Sequence, residues 1–268
     1  MLDLWPAGAV PHRLWIGSAV AVGLIVGSFA NVCIHRLPRG HSVVRPPSRC
    51  PSCGALVRPW DNVPIVSYLA LLGRCRDCRG RIPLRYPAVE AGNALLYLGL
   101  ALLMGPSWRT ALTMAFLTAM LVLSLIDLEH HLLPDAITLP GIAAGLAASL
   151  LPDSPLTLLA SAGAAAGGYL ALAVVAEAYR RTRGMEGLGQ GDWKMVAMLG
   201  AFLGWERMLL AVFLATLAGT VVGLALIGWR GRTLRHALPL GSFLGAAGIV
   251  TVFAGQPLLD WYGGFFSG

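Results

Sequence analysis

Long apolar stretches follow one another along most of this chain, and they constrain its fold more than any other feature. A helix needs ~20 residues to cross a bilayer, or ~17 at the short end. With 56% hydrophobic and 12% charged residues, the composition excludes soluble globular, disordered, collagen-like and disulfide-scaffold proteins. We therefore predict an all-α polytopic membrane protein with about eight transmembrane helices. The eight candidate stretches are Leu14–Ile34, Ala88–Met104, Ala111–Ile126, Ala136–Leu151, Leu156–Ala178, Met195–Gly204, Met208–Gly228 and Pro239–Ala254.

Two of these stretches are short for a membrane span. The fourth is marginal, and the sixth is long enough only if the whole of 192–205 is helical and buried by neighbouring helices. Seven spans are therefore an alternative to eight. Three parts are predicted along the chain: a first transmembrane helix (1–35), a cytoplasmic cysteine module (36–86) and a membrane domain (87–268).

The distribution of positive charge favours eight spans. If eight spans alternate across the membrane, one side receives 17 of the 20 Lys and Arg residues and the other side receives only Arg13, Arg109 and Arg207. The positive-inside rule then places the basic side in the cytoplasm and both termini outside. No basic region precedes the first span, so we expect an anchor and not a cleaved signal peptide. These charges either serve only to fix the topology or contact anionic membrane lipid or an acidic partner. No run of Lys and Arg is dense enough to indicate nucleic acid.

Four of the five cysteines form two Cys-x-x-Cys pairs in the segment between the first two spans. Cys50 and Cys53 form the first pair and Cys75 and Cys78 the second. Two such pairs at this separation present four thiolates to a tetrahedral metal, for which zinc is the expected ion in a reducing compartment. A redox dithiol and disulfides are the less favoured alternatives. Four cysteines close the coordination shell, so the zinc is predicted to be structural.

Two aspartates lie at positions where inserting a carboxylate into the membrane costs free energy. Asp127 ends the third apolar stretch and Asp192 begins the sixth, on the same predicted side. A carboxylate near hydrocarbon depth costs ~2.5–3.5 kcal/mol on insertion scales, so it usually faces a cavity, a partner or a reacting group. Two such groups can share a proton and activate water. Helix capping is the alternative for Asp192 and the favoured interpretation for Asp135, while Glu90, inside the second span, needs a partner or a function.

The order of several short motifs resembles the type IV prepilin peptidases, which are membrane aspartyl proteases with a Gly-x-Gly-Asp motif. The resemblance covers nearly the whole chain. It is carried by Gly27–Val32 with His35–Pro38, by Cys50–Cys53 through Trp60–Pro64 to Cys78, by Arg85–Glu90, by Ile126–Leu128 with Leu132–Asp135, and by Gly187–Lys194.

The resemblance implies a function at the bacterial inner membrane. Members of this family cleave the short basic leader of type IV prepilins or type II secretion pseudopilins at the cytoplasmic face, and they N-methylate the new terminus with S-adenosylmethionine. By motif position, Asp127 and Asp192 carry over as the catalytic pair and the four cysteines as metal ligands. A peptidase without methyltransferase activity and an ion- or proton-coupled transporter are the alternatives. A transporter gives no reason for four cysteines and needs carboxylates near the bilayer midplane.

Overall fold

A computed structural model describes residues 11–152, 154–184, 189–230 and 238–265. In these ranges the only β-type pairings are two isolated bridges, Arg49 with Leu56 and Arg74 with Arg81. The predicted all-α fold is confirmed. The helices are α1 (His12–Arg36), α2 (Val66–Ala70), α3 (Arg85–Leu103), α4 (Trp108–His130), α5 (Asp135–Ala148), α6 (Leu158–Arg183), α7 (Gln190–Arg230) and α8 (Leu240–Gly264), with 3₁₀ turns at Leu37–Arg39 and Pro59–Asn62.

The helices agree with the predicted membrane spans in position. In the described ranges, six of them are long and apolar enough to cross a membrane: α1, α3, α4, α6, α7 and α8. The fourth apolar stretch forms α5, which has 14 residues, and the sixth and seventh stretches both lie in α7. A multi-pass membrane protein is thus confirmed, and the count of eight passes stays a prediction.

The chain divides into two compact units, Met1–Thr118 and Ala119–Gly268, with the boundary inside α4. In the first unit, α1 and α3 pack through small residues. A methyl group on Gly23 would lie 2.8 Å from Ala94 Cα, and one on Gly27 would lie 2.8 Å from Glu90 Cα. This Gly-xxx-Gly spacing lets two helix backbones approach closely, as is common between membrane helices. Asn93 adds a buried hydrogen bond from its Nδ2 to the carbonyl of Gly23, 2.8 Å long.

In the second unit, the 41-residue helix α7 turns back on itself at Gly204, whose φ of 74° and ψ of −177° are not helical. A methyl group on Gly168 of α6 would lie 2.9 Å from Val196 Cγ1 and 2.6 Å from Met208 Sδ. In a straight helix these two residues, twelve positions apart, would be ~18 Å apart. The halves of α7 before and after Gly204 are therefore two antiparallel segments.

The first half of α7 meets only part of the condition set for the sixth stretch, because Gly204 is not helical and Trp205 is exposed. This half is helical from Gln190, and a run from Met195 to Ala201 is buried by neighbouring helices. Ser161 of α6 donates a 2.7 Å hydrogen bond to the carbonyl of Ala201, and Gly200 lies against the backbone of Ala164. The bend at Gly204 divides α7 into two helical segments, and the alternation of eight spans stays a prediction.

Candidate functional site

Asp127 lies in the last turn of α4 and is buried, with 6% of the residue exposed. Its Oδ2 accepts a 2.7 Å hydrogen bond from the backbone N–H of Ser242 and a 3.2 Å hydrogen bond from the Ser242 hydroxyl. Ser242 is the third residue of α8, so the carboxylate binds the open N–H groups at the start of that helix. The partial positive charge of a helix N-terminus stabilises such an anion. The fold therefore supplies donors for a charge that is costly at this depth.

Asp192 lies in the first turn of α7 and is half-buried. Its Oδ2 accepts a 3.2 Å hydrogen bond from the N–H of Gly189, the residue before the helix. This is the reciprocal contact of a capping box, in which the third helical side chain satisfies the N-cap N–H. The capping role considered for Asp192 is thus real. It leaves the other carboxylate oxygen for a second role, because one oxygen serves the cap.

The two aspartates belong to one neighbourhood in the second unit. Leu133 connects them: a methyl group on Gly191 would lie 2.8 Å from Leu133 Cβ, and one on Gly241 would lie 2.9 Å from Leu133 Cδ1 and 3.0 Å from Asp127 Cγ. Leu133 therefore contacts both the start of α7, which carries Asp192, and the start of α8, which binds the Asp127 carboxylate. A pair of carboxylates in mutual reach is the arrangement that can hold one proton between two groups and activate water.

The prediction that Asp135 is a helix cap is wrong. The N-cap of α5 is Pro134, and Asp135, one residue further on, makes no capping hydrogen bond. Its carboxylate instead pairs with Lys194, whose Nζ lies 2.7 Å from Oδ1 and 2.9 Å from Oδ2. The first helical position is favourable for a carboxylate through the helix dipole, and the long Lys side chain of α7 reaches it. The ion pair joins the start of α5 to the start of α7, two residues after Asp192.

The four cysteines predicted as metal ligands come together in the first unit. Their sulfur atoms all lie within 4.8 Å of one another, and Cys50 Sγ and Cys78 Sγ are 3.8 Å apart. A tetrahedron with Zn–S bonds of ~2.3 Å has edges of about 3.8 Å. The geometry therefore fits a four-thiolate metal site, with Cys53 and Cys75 as the other two donors. Cys33 lies half-buried in α1 as a packing residue.

Both cysteine pairs are built on the same turn. The N–H of Cys50 donates to the carbonyl of Ala55, and the N–H of Cys75 donates to the carbonyl of Gly80, each at 2.8 Å. In the first turn Gly54 has a positive φ of 73°, and in the second turn Arg79 has a positive φ of 57°. Gly80 makes a different contribution. Its N–H donates to Cys78 Sγ, and a methyl group there would lie 3.3 Å from Ser52 Oγ, so the second turn packs closely against the first.

The Cys50 thiol receives hydrogen bonds that favour its charged form. Backbone N–H groups of Cys53 and Ser52 lower the pKa of the Cys50 thiol, which suits a metal ligand. Outside the cysteines, Arg76 donates two hydrogen bonds to Asp61, from Nε to Oδ2 at 2.9 Å and from Nη2 to Oδ1 at 2.6 Å. This bidentate contact lowers the pKa of the Asp61 carboxyl and ties the Pro59–Asn62 turn to the second cysteine pair.

Glu129, His130 and His131 form a further group of acidic and imidazole side chains. All three are exposed, and Glu129 and His130 belong to the last turn of α4 and not to a loop. Ser242 was not identified from the sequence, because a serine after Leu-Gly gives no local signal of a contact with Asp127. Gly187 and Leu188 of the Gly187–Lys194 motif, and Arg232 and Arg235, which belong to the 17 basic residues on the predicted cytoplasmic side, lie outside the described residues.

Comparisons with known proteins cover both units. The profile named Bacterial Peptidase A24 N-terminal domain matches residues 21–104, and the profile named Type IV leader peptidase family matches residues 114–224. The first match contains the cysteine cluster and the second contains both aspartates. No solved structure matches the chain.

Curated relatives match over nearly the whole chain. A protein named prepilin leader peptidase/N-methyltransferase from Burkholderia pseudomallei (strain K96243) is 39% identical over 96% of this chain and 91% of its own length. Proteins of the same name from Pseudomonas putida and Aeromonas hydrophila are 37% and 34% identical, and the matches cover 96% and 93% of this chain and 96% and 94% of those proteins.

Proposed function

The chain belongs to the type IV leader peptidase family, and we propose that it removes the leader of prepilins or pseudopilins by means of Asp127 and Asp192, and then N-methylates the new terminus. The observation that supports the catalytic pair is the buried Asp127 carboxylate, held at the N-terminus of α8 beside Leu133, which also contacts the start of α7 next to Asp192.

The hydrogen bonds distinguish the roles of the two carboxylates. Asp127 Oδ2 receives two donors from Ser242, whereas Asp192 receives one from Gly189. Donors to a carboxylate favour its charged form, so Asp127 is the general base that takes a proton from water. Asp192 is the general acid that gives a proton to the leaving amine. The proton that starts on Asp192 leaves with the amine, and the proton that Asp127 takes from water then passes to Asp192, which restores the starting state.

The four cysteines of the first unit are proposed to bind a metal ion. The sulfur distances support zinc held by Cys50, Cys53, Cys75 and Cys78, with no open position for a water ligand. Zinc bound there joins the two turns and fixes the segment between α1 and α3. The zinc is structural, and leader cleavage is assigned to the aspartates of the other unit.

The distribution of Lys and Arg supports a location of the two sites at the cytoplasmic side of the membrane. The basic segment between α1 and α3 and the start of α7 belong to the predicted cytoplasmic side of the bacterial inner membrane, where a short basic leader would be exposed. Membrane lipid surrounds the apolar helices. A transporter is disfavoured because Asp127 and Asp192 lie at helix ends, away from helix centres.

A single incubation tests the proposal. Purified protein is incubated with a prepilin peptide and S-adenosylmethionine, and the masses of the products are measured by mass spectrometry. We expect loss of the leader and a gain of one methyl group on the mature peptide. Leader loss without the methyl group would reduce the function to a peptidase, and an unchanged peptide would overturn the assignment.

A further inference from the structure

Apolar side chains are exposed at every third position of a segment in the first unit that contains the Pro59–Asn62 turn and α2. Isolated exposed apolar residues are ordinary on a protein surface, but a group of them marks a surface that binds a partner or a membrane. We call this group the apolar stripe. Its five members, which are 44–85% exposed, are Trp60, Val63, Val66, Leu69 and Leu72.

The opposite side of the same segment is packed into the first unit. The Tyr68 hydroxyl donates to the carbonyl of Ile82 at 3.5 Å, and a methyl group on Gly73 would lie 2.8 Å from the Tyr68 oxygen. Before α2, the N–H of Ile65 donates a 2.8 Å hydrogen bond to Glu90 Oε2. These contacts determine which side of the segment faces outward, so the stripe is presented by a backbone that is held in place.

Leu72 lies at a backbone position that usually belongs to glycine. It follows Leu71, the C-cap of α2, and its φ is 51°. A left-handed residue directly after a helix is commonly glycine or asparagine, because a Cβ is disfavoured there. Leu72 is nevertheless the most exposed residue of the stripe, at 85%. Backbone strain of this kind concentrates at binding sites, and here it presents an apolar side chain outward.

The segment that carries the stripe begins and ends at membrane helices. The helices α1 and α3 are antiparallel, because Gly23 lies against Ala94 while Gly27 lies against Glu90. The end of α1 and the start of α3 are therefore at the same side of the membrane. Glu90 is the sixth residue of α3, ~8 Å along the helix from its start. Its hydrogen bond to Ile65 thus holds the beginning of α2 at the end of a membrane helix.

Positive charge accompanies the stripe. Residues 40–84 contain seven arginines, two aspartates and no lysine or glutamate. Both aspartates pair with arginines of the same segment, at 2.6 and 3.7 Å, so an excess of five arginines remains. Arg74 and Arg81 belong to this excess: both are exposed, they are neighbours across a β-bridge, and Arg74 comes two positions after Leu72. A second copy of this chain, with a net charge of +7, would be repelled, whereas anionic headgroups would be attracted.

We propose that the apolar stripe lies in the headgroup region of the bilayer beside α1 and α3, and that anionic phospholipid is its partner. Tryptophan is enriched at this depth, which suits Trp60. The aliphatic side chains enter the boundary with the acyl chains, and the surplus arginines bind phosphate groups. The attachment of α2 to the end of α3 favours lipid over an acidic protein. The inference concerns the membrane surface alone and is independent of leader cleavage and methylation.

Photo-crosslinking of the full-length protein, purified with its metal, identifies what covers the stripe. p-Benzoylphenylalanine replaces Leu69 or Leu72, and the protein is placed in phosphatidylcholine nanodiscs with or without about one third phosphatidylglycerol. Val44 is the matched control position, because it is 79% exposed in the same unit but lies outside the stripe. After irradiation, mass spectrometry should find phospholipid adducts at Leu69 and Leu72 and few at Val44. We expect the yield to be at least about threefold higher in the anionic nanodiscs.

Two substitutions, each made with the probe at Leu69, separate the apolar and charged contributions. Leu72→Asn removes an apolar side chain while asparagine tolerates the left-handed backbone, so the protein should fold and the adduct yield should fall at least about twofold in both nanodiscs. Arg74→Gln should lower the yield only in the anionic nanodiscs. Thermal unfolding and metal content establish that each variant is folded.

The same spectra contain the results that would overturn the proposal. These are the absence of lipid adducts at both stripe positions, crosslinks from the stripe to residues 119–265 or to another protein in their place, and equal lipid adducts at Val44. Equal yields with and without phosphatidylglycerol would overturn the assignment to anionic lipid.

Discussion

Asp127 and Ser242 are 115 positions apart in the chain, yet the backbone N–H of Ser242 lies 2.7 Å from the Asp127 carboxylate. The contact joins the end of α4 to the start of α8. It means that the last membrane helix, which carries no acidic or basic residue in its first turn, takes part in the candidate site through its backbone. Changes at α8 should therefore affect the chemistry of a residue on α4.

A substitution at Gly241 tests the contact between α8 and Asp127. A methyl group there would lie 3.0 Å from both Cγ and Oδ2 of Asp127, so Gly241→Ala should displace the carboxylate. A misplacement of ~1 Å can cost ~10²-fold in rate, and we expect at least about a tenfold loss of kcat for leader cleavage. Gly263→Ala is the matched control, because it lies on the same helix with nothing within 4 Å. Equal rates for the two variants would contradict the role of α8.

The catalytic pair is tested by Asp127→Asn and Asp192→Asn. Each substitution keeps the shape and an acceptor oxygen, so the contacts with Ser242 and Gly189 are preserved while proton transfer is not. General acid and base groups each contribute ~10²–10⁴-fold, and we expect at least a hundredfold slower cleavage in either variant. Asp260→Asn, an exposed aspartate of α8, is the control. Substantial cleavage by a folded variant would remove that aspartate from the mechanism.

Breaking the Asp135–Lys194 ion pair should have a smaller effect on the cleavage rate. The side chains are 56% and 22% exposed, and such pairs contribute ~0.2–1 kcal/mol. Lys194→Gln should therefore change thermal stability little and slow cleavage less than about tenfold, by loosening the start of α7 beside Asp192. The double variant Asp135→Lys with Lys194→Asp should recover part of the rate. No recovery, with a rate as low as that of Asp192→Asn, would mean that Lys194 acts on the substrate directly.

The sequence identified some features of the site and missed others for a physical reason. The apolar stretches, the cysteine pairs and Asp127 are visible because burial and metal binding need particular residue types at fixed spacing. The reversal at Gly204 is hidden, because apolar residues continue on both sides of it without a polar loop. The contacts of Ser242 with Asp127 and of Lys194 with Asp135 depend on tertiary packing, which leaves no local pattern.

Because the four cysteines form one cluster, we expect metal analysis to find about one zinc ion per purified chain. Cys75→Ser should lose the metal and make the segment between α1 and α3 sensitive to protease, because metal binding and folding of such modules are coupled. Cys33→Ser provides the matched control: it removes a cysteine of α1 that is not part of the cluster, and zinc should be retained. Metal analysis that finds none in the unmodified protein, purified without chelators, would refute the site.

Cleavage and methylation are expected to be separable, because the aspartate pair and the cysteine cluster belong to different compact units. Methyl transfer needs a deprotonated amine in line with the methyl donor, which a proton-sharing carboxylate pair does not provide. Asp127→Asn should therefore methylate a synthetic peptide that already begins at the mature residue, yet leave an uncleaved prepilin unmodified. Radiolabelled S-adenosylmethionine and the two peptides suffice for the assay. Loss of methylation of the mature peptide by folded Asp127→Asn protein would show instead that the two activities share one site.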